Sequence, residues 1–233
     1  MKSIGIVCEY NPFHNGHIYH INKIKEMFPD SIIILVMSGN FTQRGDASII
    51  NKWNKTKIAL NHNIDLVIEL PFIFTNQSAD TFAFGACSIL NHLKVDYLVF
   101  GSESDNIDYI KNIVNIEDNK KYQEKVKELL DNGINYPTAL SKALKDFNIN
   151  LSDSSNDLLG ISYVKALKKL NSKITPITIK RTNNYNDKTL TKYITSATSI
   201  RENINKRSIK KYVPKDTYKC LKEKQRANLP SIL

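Results

Sequence analysis

Three histidines, His14, His17 and His20, lie close together in a chain that has only five. They belong to the stretch EYNPFHNGHIYH, which follows directly on the apolar run Ile4-Gly5-Ile6-Val7-Cys8. Residues of this kind can bind a metal, donate to an anion or simply pack. A zinc site needs a closed set of three or four ligands, and HxxHxxH without a nearby Cys or an HExxH pattern supplies only a drifting helical face. No metal site is therefore expected. An anion fits better. Pro12 fixes the backbone, Gly16 permits a close approach, and a helix starting here points its first N–H groups at whatever sits in front of it. Histidines at that position donate to phosphate oxygens and, when protonated, stabilise charge that develops on phosphorus. His20 falls a turn further into the helix, where packing or solvent explains it as well. The other familiar phosphate cradles, GxxxxGK[ST] and GxGxxG, are missing from the chain.

The elements that would carry these groups are legible as periodicity. Short apolar runs at Ile4–Cys8, Ile32–Met37, Leu66–Leu70, Tyr97–Phe100 and Ile174–Ile179 suit strands buried on both faces. Helical spacing fills His17–Phe28, Ile50–Asn61 and Ser78–Leu93, the last opened by Ser78 as an N-cap. Strand and helix alternate, so the expected fold class is α/β, a Rossmann-like parallel sheet with right-handed crossovers. In such a sheet the ligand lies beyond the carboxyl ends of the strands, and NPFHNGH is at that end of the first one. From about 105 to 170 the pattern turns helical, with polar breaks at Ile116–Lys121 and Asn132–Tyr136 and caps offered by Ser152 to Ser155. This reads as a helical insertion or layer within a domain of residues 1–205. A basic segment, 206–233, follows, with Pro214 placed in the first turn of a short helix.

Charge is unevenly spread. Residues 165–233 carry 18 Lys and Arg against four acids, whereas residues 1–164 carry 15 basic and 19 acidic groups. A basic third on an acidic body can serve as a polyanion surface, since each phosphate neutralised releases counterions. A solvated Lys-rich helical tail explains the same numbers equally well. No apolar run approaches the ~20 residues of a membrane span, and MKSIGIVCEY reads as a first strand rather than a signal peptide, so the cytoplasm is the expected location. Cys8, Cys87 and Cys220 are odd in number, distant and without a CxxC pair, which excludes a disulfide framework and fits a reducing compartment.

HNGH after a first strand resembles the HxGH signature of the nucleotidyltransferase superfamily, and Thr195-Ser196-Ala197-Thr198-Ser199-Ile200-Arg201 resembles its ISSTxIR signature. The blocks EYNPFHNGH, SGNFTQRGDAS, DLVIELPF, QSADTFAFGA, FGSES, NDLLGISYVKAL and IKR resemble the tRNA(Met) cytidine acetate ligase family over residues 1 to about 213. The resemblance implies an HxGH nucleotidyltransferase-type fold. It also implies that acetate is activated with ATP, Mg²⁺ assisting, to acetyl-adenylate. The acetyl group then passes to N4 of the wobble cytidine of elongator methionine tRNA, with AMP and pyrophosphate released.

Carried over by motif, Val7, Cys8, Glu9, Tyr10, Asn11, Pro12, Phe13, His14, Asn15, Gly16, His17, Ile18, Tyr19 and His20 would wrap the ATP. His14 and His17 would face its phosphates and, with Arg201, form the catalytic set. Gly101, Asn156 and Arg181 match further ATP-binding positions, and Ser196 and Thr198 join Arg201 on the β and γ phosphates. Arg181 and Arg201 offer planar forks suited to phosphate.

Gln43 and Arg44 follow the second strand and are expected to border the same cleft. Arg44 is assigned either to the acetate carboxylate or tRNA, or to a local pair with Asp46. Glu9 could carry the metal ion, orient a histidine or accept local hydrogen bonds. Asp80 is equally a helix-start charge or a site residue. The last segment is expected to be shortened relative to the family, which leaves tRNA affinity open. Two other readings stay beside this one: a small-molecule adenylyltransferase and a non-catalytic RNA-binding module.

Overall fold

A computed structural model of the chain describes residues 1–150, 155–181 and 194–226. Five parallel strands form one sheet in the order β3-β2-β1-β4-β5. They are β1 (Lys2–Cys8), β2 (Ser31–Ser38), β3 (Leu66–Leu70), β4 (Tyr97–Ser102) and β5 (Thr175–Lys180). The helices in chain order are α1 (Asn15–Met27), α2 (Lys52–Leu60), α3 (Phe72–Thr75), α4 (Ala79–His92), α5 (Ile107–Glu117), α6 (Lys120–Asp131), α7 (Tyr136–Lys145), α8 (Ser155–Lys169), α9 (Ala197–Glu202) and α10 (Lys215–Arg226), with a 3₁₀ turn at Arg207–Lys211 before the last.

Alternation along each strand divides the core between the two faces of the sheet. Ile34 and Val36 of β2, with Leu98 and Phe100 of β4, meet Phe82, Ala86 and Leu90 of α4 and residues of α5 to α8. On the opposite face Ile4 and Ile6 of β1 and Ile33, Leu35 and Met37 of β2 meet Ile21 and Ile24 of α1, Ile58 of α2, Ile200 of α9 and Leu221 of α10. Helices α5 to α8 therefore form a layer continuous with α4. The breaks read at Ile116–Lys121 and Asn132–Tyr136 coincide with the α5–α6 and α6–α7 junctions. Ser78 caps α4 through its side chain, which accepts from the Thr81 N–H. Pro214 precedes the last helix, and its carbonyl accepts from Tyr218 N–H. It therefore occupies the cap position rather than the first turn. Ser152 to Ser154, read as caps for α8, lie outside the described residues.

The strand order reverses direction between β1 and β4, and the ladder there is short. Only Ile4 with Tyr97 and Gly5 with Leu98 are paired, whereas β1 pairs with β2 along its whole length from Lys2 to Cys8. Beyond Gly5 the two strands part. Their separated carboxyl ends open the crevice that this topology provides for a ligand. Among the described residues no helix is long and apolar enough to cross a membrane.

Candidate active site

A cavity of about 440 Å³ occupies that crevice. Ile6, Val7 and Cys8 of β1 and Phe100 and Gly101 of β4 line its sides, and the loop after β1 runs along its floor. His14, the residue before α1, is 6% exposed and has extended backbone. Its Nδ1 accepts a hydrogen bond from the Gly16 N–H at 3.0 Å, and the Nδ1 of His17 accepts from the His14 N–H at 3.2 Å. Two histidines thus form the reciprocal cap that Ser and Glu usually supply at a helix start. Gly16 makes this possible, because a Cβ there would lie 2.7 Å from Cε1 of His14. The close approach inferred for Gly16 is to the His14 ring.

This cap fixes the protonation of both rings. A nitrogen that accepts from a backbone N–H holds no proton, so each neutral ring carries its proton on Nε2. Burial, followed by the nearby charges of Arg181 and Arg201, pulls the His14 pKa down to about 3. Burial with His14 and Arg181 lowers His17 well below its ordinary value. His20 falls to about 4 through burial and Arg181. His14 and His17 are therefore neutral donors through Nε2, and the positive charge of the lining comes from Arg44, Lys180, Arg181 and Arg201.

Both arginines are braced. Arg201 of α9 donates from Nη1 to the Asn11 carbonyl at 2.7 Å and from Nη2 to Thr198 Oγ1 at 3.0 Å. Ser196 caps α9 by accepting from Ser199 N–H at 3.0 Å. Arg181, just past β5, donates from its backbone N–H to Ser102 O and from Nη1 to Asn156 Oδ1 at 3.3 Å, and its Nε lies 3.8 Å from Glu103 Oε1. Gly101 allows this, since a Cβ there would stand 3.2 Å from Cγ of Arg181. Arginines that are already oriented lose little rotamer freedom on meeting an anion.

Of the residues expected to bind nucleotide, Val7, Cys8, Glu9, Tyr10, Asn11, His14, Gly16, His17, Tyr19, His20, Gly101, Asn156, Arg181, Ser196 and Arg201 line the cavity. Pro12, Phe13, Asn15, Ile18 and Thr198 do not. Phe13 is 1% exposed in the core, Ile18 packs against that core, Asn15 donates to Lys211 O, and Thr198 braces Arg201. Gln43 and Arg44 reach the cavity from the β2–α2 loop, which turns at Gly45 with φ +86°. Glu9 accepts from the Gln43 N–H, and Gln43 Nε2 donates to Gln77 O at 2.6 Å. Asp80 is not a lining residue; it accepts from Ser162 Oγ at 2.7 Å and pairs with Lys165 at 3.4 Å, joining α4 to α8. Ala79, Phe82, Leu158, Leu159 and Tyr163 add apolar lining, beside the polar Ser155, Lys180 and Thr195. A lining that mixes cations with apolar side chains is suited to a ligand that carries both an anion and an apolar or aromatic group.

Two supporting residues were not singled out from the sequence. The side chain of Asp157, 1% exposed, accepts from the Ser102 hydroxyl and from the N–H groups of Glu103 and Ser104 at 3.1 Å each. Glu103 returns the contact by accepting from Asn156 Nδ2 and Asp157 N–H. The FGSES and NDLL blocks are thus one latch. Lys55 is 1% exposed and donates to Glu9 O and Ser38 O at 2.8 Å each and to Ser48 Oγ at 3.2 Å. It ties the ends of β1 and β2 to the loop that carries Gln43. Burial lowers its ammonium from 10.5 to about 8, against the opposing pull of Cys8, Glu9 and Glu69.

Because that pKa is depressed in the folded state, the contribution of Lys55 to stability is full above 10.5 and is lost as pH falls through 8. Relative to Lys55→Met, the parent is therefore expected to gain roughly 3 kcal/mol at most between those limits. Denaturant unfolding of both proteins at about pH 7 and about pH 9.5 reads the difference. A gap that does not change with pH would mean that Lys55 titrates as an ordinary lysine.

The chain is 45% identical to a "tRNA(Met) cytidine acetate ligase" of Caldicellulosiruptor bescii over 229 residues, 96% of this chain and 57% of that protein. It is 48% identical to one from Acetivibrio thermocellus, covering 88% of this chain and 52% of the relative. It spans little more than half the length of these curated relatives. The crystal structure of Thermotoga maritima TmcAL in its apo form superposes with a TM-score of 0.92 at 35% identity, over 100% of this chain and 59% of that one. A second crystal structure of that protein, bound with alpha-thio ATP, gives 0.87 at 35% identity over 97% of this chain and 56% of that one. The model describing the HIGH nucleotidyl transferases matches residues 1–232, and the chain belongs to that family.

Proposed function

We propose that this protein activates acetate with ATP and transfers the acetyl group to N4 of the wobble cytidine of elongator methionine tRNA, in the cytoplasm. The observation that carries the reading is one cavity whose lining combines braced arginines, two neutral Nε2–H donors and apolar side chains. The names of its relatives, and the alpha-thio ATP bound by one of them, point the same way.

In the first step a carboxylate oxygen of acetate attacks the α phosphorus, the bond from that phosphorus to the bridging oxygen breaks, and pyrophosphate leaves. Phosphoryl chemistry of this type requires positioning and charge stabilisation rather than a protein nucleophile. Arg181, Arg201 and the cap of α9 would hold the phosphates, while His14 and His17 donate to oxygens that gain charge in the transition state. Neutral rings suit that task, because a donor that keeps its proton serves every turnover.

In the second step N4 of cytidine attacks the acetyl carbonyl, loses a proton, and AMP departs. Among the described residues no group of three or more His, Cys, Asp or Glu could hold a metal ion by itself. Mg²⁺ typically binds through substrate phosphates and one or two carboxylates. Glu9, the acidic lining residue, would provide such a carboxylate, and the ion would neutralise phosphate charge.

Acetate-dependent exchange of labelled pyrophosphate into ATP tests the reading, run with and without elongator methionine tRNA. Exchange that requires acetate is expected. Exchange driven instead by a phosphorylated metabolite, with a stable adenylylated product, would mark an adenylyltransferase. ATP binding without any exchange would leave a nucleotide site without the reaction.

A further inference from the structure

The basic turn after α9 is not a loose tail. Ile209, Tyr212 and Val213 are buried in the core with Ile21 and Ile24 of α1, and the carbonyls of Lys211 and Tyr212 accept from the side chain and the backbone N–H of Asn15, both at 2.9 Å. Asn15 opens α1 next to His14. The apolar residues of the turn face inward, so Lys206, Arg207, Lys210, Lys211 and Lys215 are left exposed. Arg207 and Lys210 are three apart in 3₁₀ geometry and therefore lie on one side of the turn. None of these five cations has an ion pair among the described residues. Of the two acids that flank the turn in sequence, Glu202 and Asp216, the second is engaged by His62 at 3.2 Å and by Asn61. Exposed, rigidly held and uncompensated positive charge beside a nucleotide cavity is the electrostatic footprint of a backbone-tracking RNA surface.

We propose that Lys206, Arg207, Lys210, Lys211 and Lys215 form a ledge that holds the phosphate backbone of the RNA substrate while its target base enters the cavity past α1. The proposal rests on the tRNA reading above and adds the surface that contacts it. Rigidity matters here as much as charge. The hydrogen bonds to Asn15 fix the ledge relative to His14, so phosphate contacts set the register of the bound strand against the reacting centre.

The test is salt-dependent binding of transcribed elongator methionine tRNA, followed by fluorescence anisotropy. It compares the parent with a variant carrying Lys206→Gln, Arg207→Gln, Lys210→Gln and Lys211→Gln. Glutamine keeps most of each stem, and thermal melting checks folding. With about 0.7 to 0.9 counterions released per phosphate neutralised, the slope of log affinity against log salt is expected to fall by roughly 3. At about 0.1 M salt the loss is expected to be on the order of 10²-fold. A control variant with Lys120→Gln, Lys121→Gln and Lys127→Gln on α6 is expected to keep the parent's slope. The ledge is overturned if the first variant keeps the parent's slope, or if the α6 variant loses as much. A parent that binds no RNA overturns the tRNA reading together with the ledge.

Discussion

Replacing His17 by Ala is expected to reduce acetate-dependent pyrophosphate exchange by ~10²–10³-fold, the usual cost of removing one oriented donor from a developing oxyanion. The same substitution removes half of the α1 cap, which costs about 1 kcal/mol of stability. The two effects have different atoms as their source and can be separated. Nδ1 of His17 accepts from the backbone of His14, while Nε2 is left for the cavity. His17→Asn offers an amide oxygen near the position of Nδ1 and nothing in place of Nε2. It is expected to recover the helix start and not the turnover. Unfolding and exchange measured on both variants give the answer. Recovery of exchange by the Asn variant would reduce His17 to a cap.

The second large effect is expected at Asp157. Its carboxylate satisfies two backbone N–H groups and a hydroxyl in a place that water does not reach. Asp157→Ala leaves those donors buried without an acceptor, at about 1–3 kcal/mol for each that finds no substitute. Part is recovered, because Ser102 Oγ lies 3.1 Å from Ser104 Oγ, so roughly 3–5 kcal/mol in total is expected. The latch also aligns Asn156, Glu103 and Arg181. ATP affinity is therefore expected to fall well below the melting temperature, where the variant is still folded. Calorimetric titration with ATP and a denaturant curve read the two losses. A variant within about 1 kcal/mol of the parent and with undiminished ATP affinity would remove Asp157 from the support of the site.

Much of this was visible in the residues alone, for identifiable reasons. The five strands are short apolar runs whose bounds in the sequence agree with the folded ones to within two residues at either end, but burial on both faces holds for the central strands and not for β3 and β5, which lie at the sheet edges and are partly exposed. Ser78 was recognised as a cap because serine is a common one. The start of α1 was placed at His17 rather than Asn15, since imidazole is not in the usual capping set and only the folded geometry shows it accepting from Gly16. Lys55 could not be found in the same way. Its role depends on two strand ends and a serine in the following loop converging on one ammonium, and no local pattern announces a lysine that will be buried. Asp157 lies within the NDLL block, yet its partners at the end of β4 and just beyond it are more than fifty residues away in the chain. Among the described residues the cavity collects the groups expected after β1, and leaves out those, such as Phe13 and Ile18, whose side chains turn into the core.

The short ladder between β1 and β4 has a mechanical meaning. The sheet is in effect two panels, β3-β2-β1 and β4-β5, stitched edge to edge by two ladder pairs and, at one end, by the hydrogen bonds between Ser3 and Asp96. His14 and His17 follow the first panel, while Gly101 and Arg181 belong to the end of the second. Arg201 spans the seam from beyond β5 to the carbonyl of Asn11. On the proposed function a nucleotide seated between the panels would complete the suture, so substrate binding would stiffen the scaffold along the line where its own ladder is shortest.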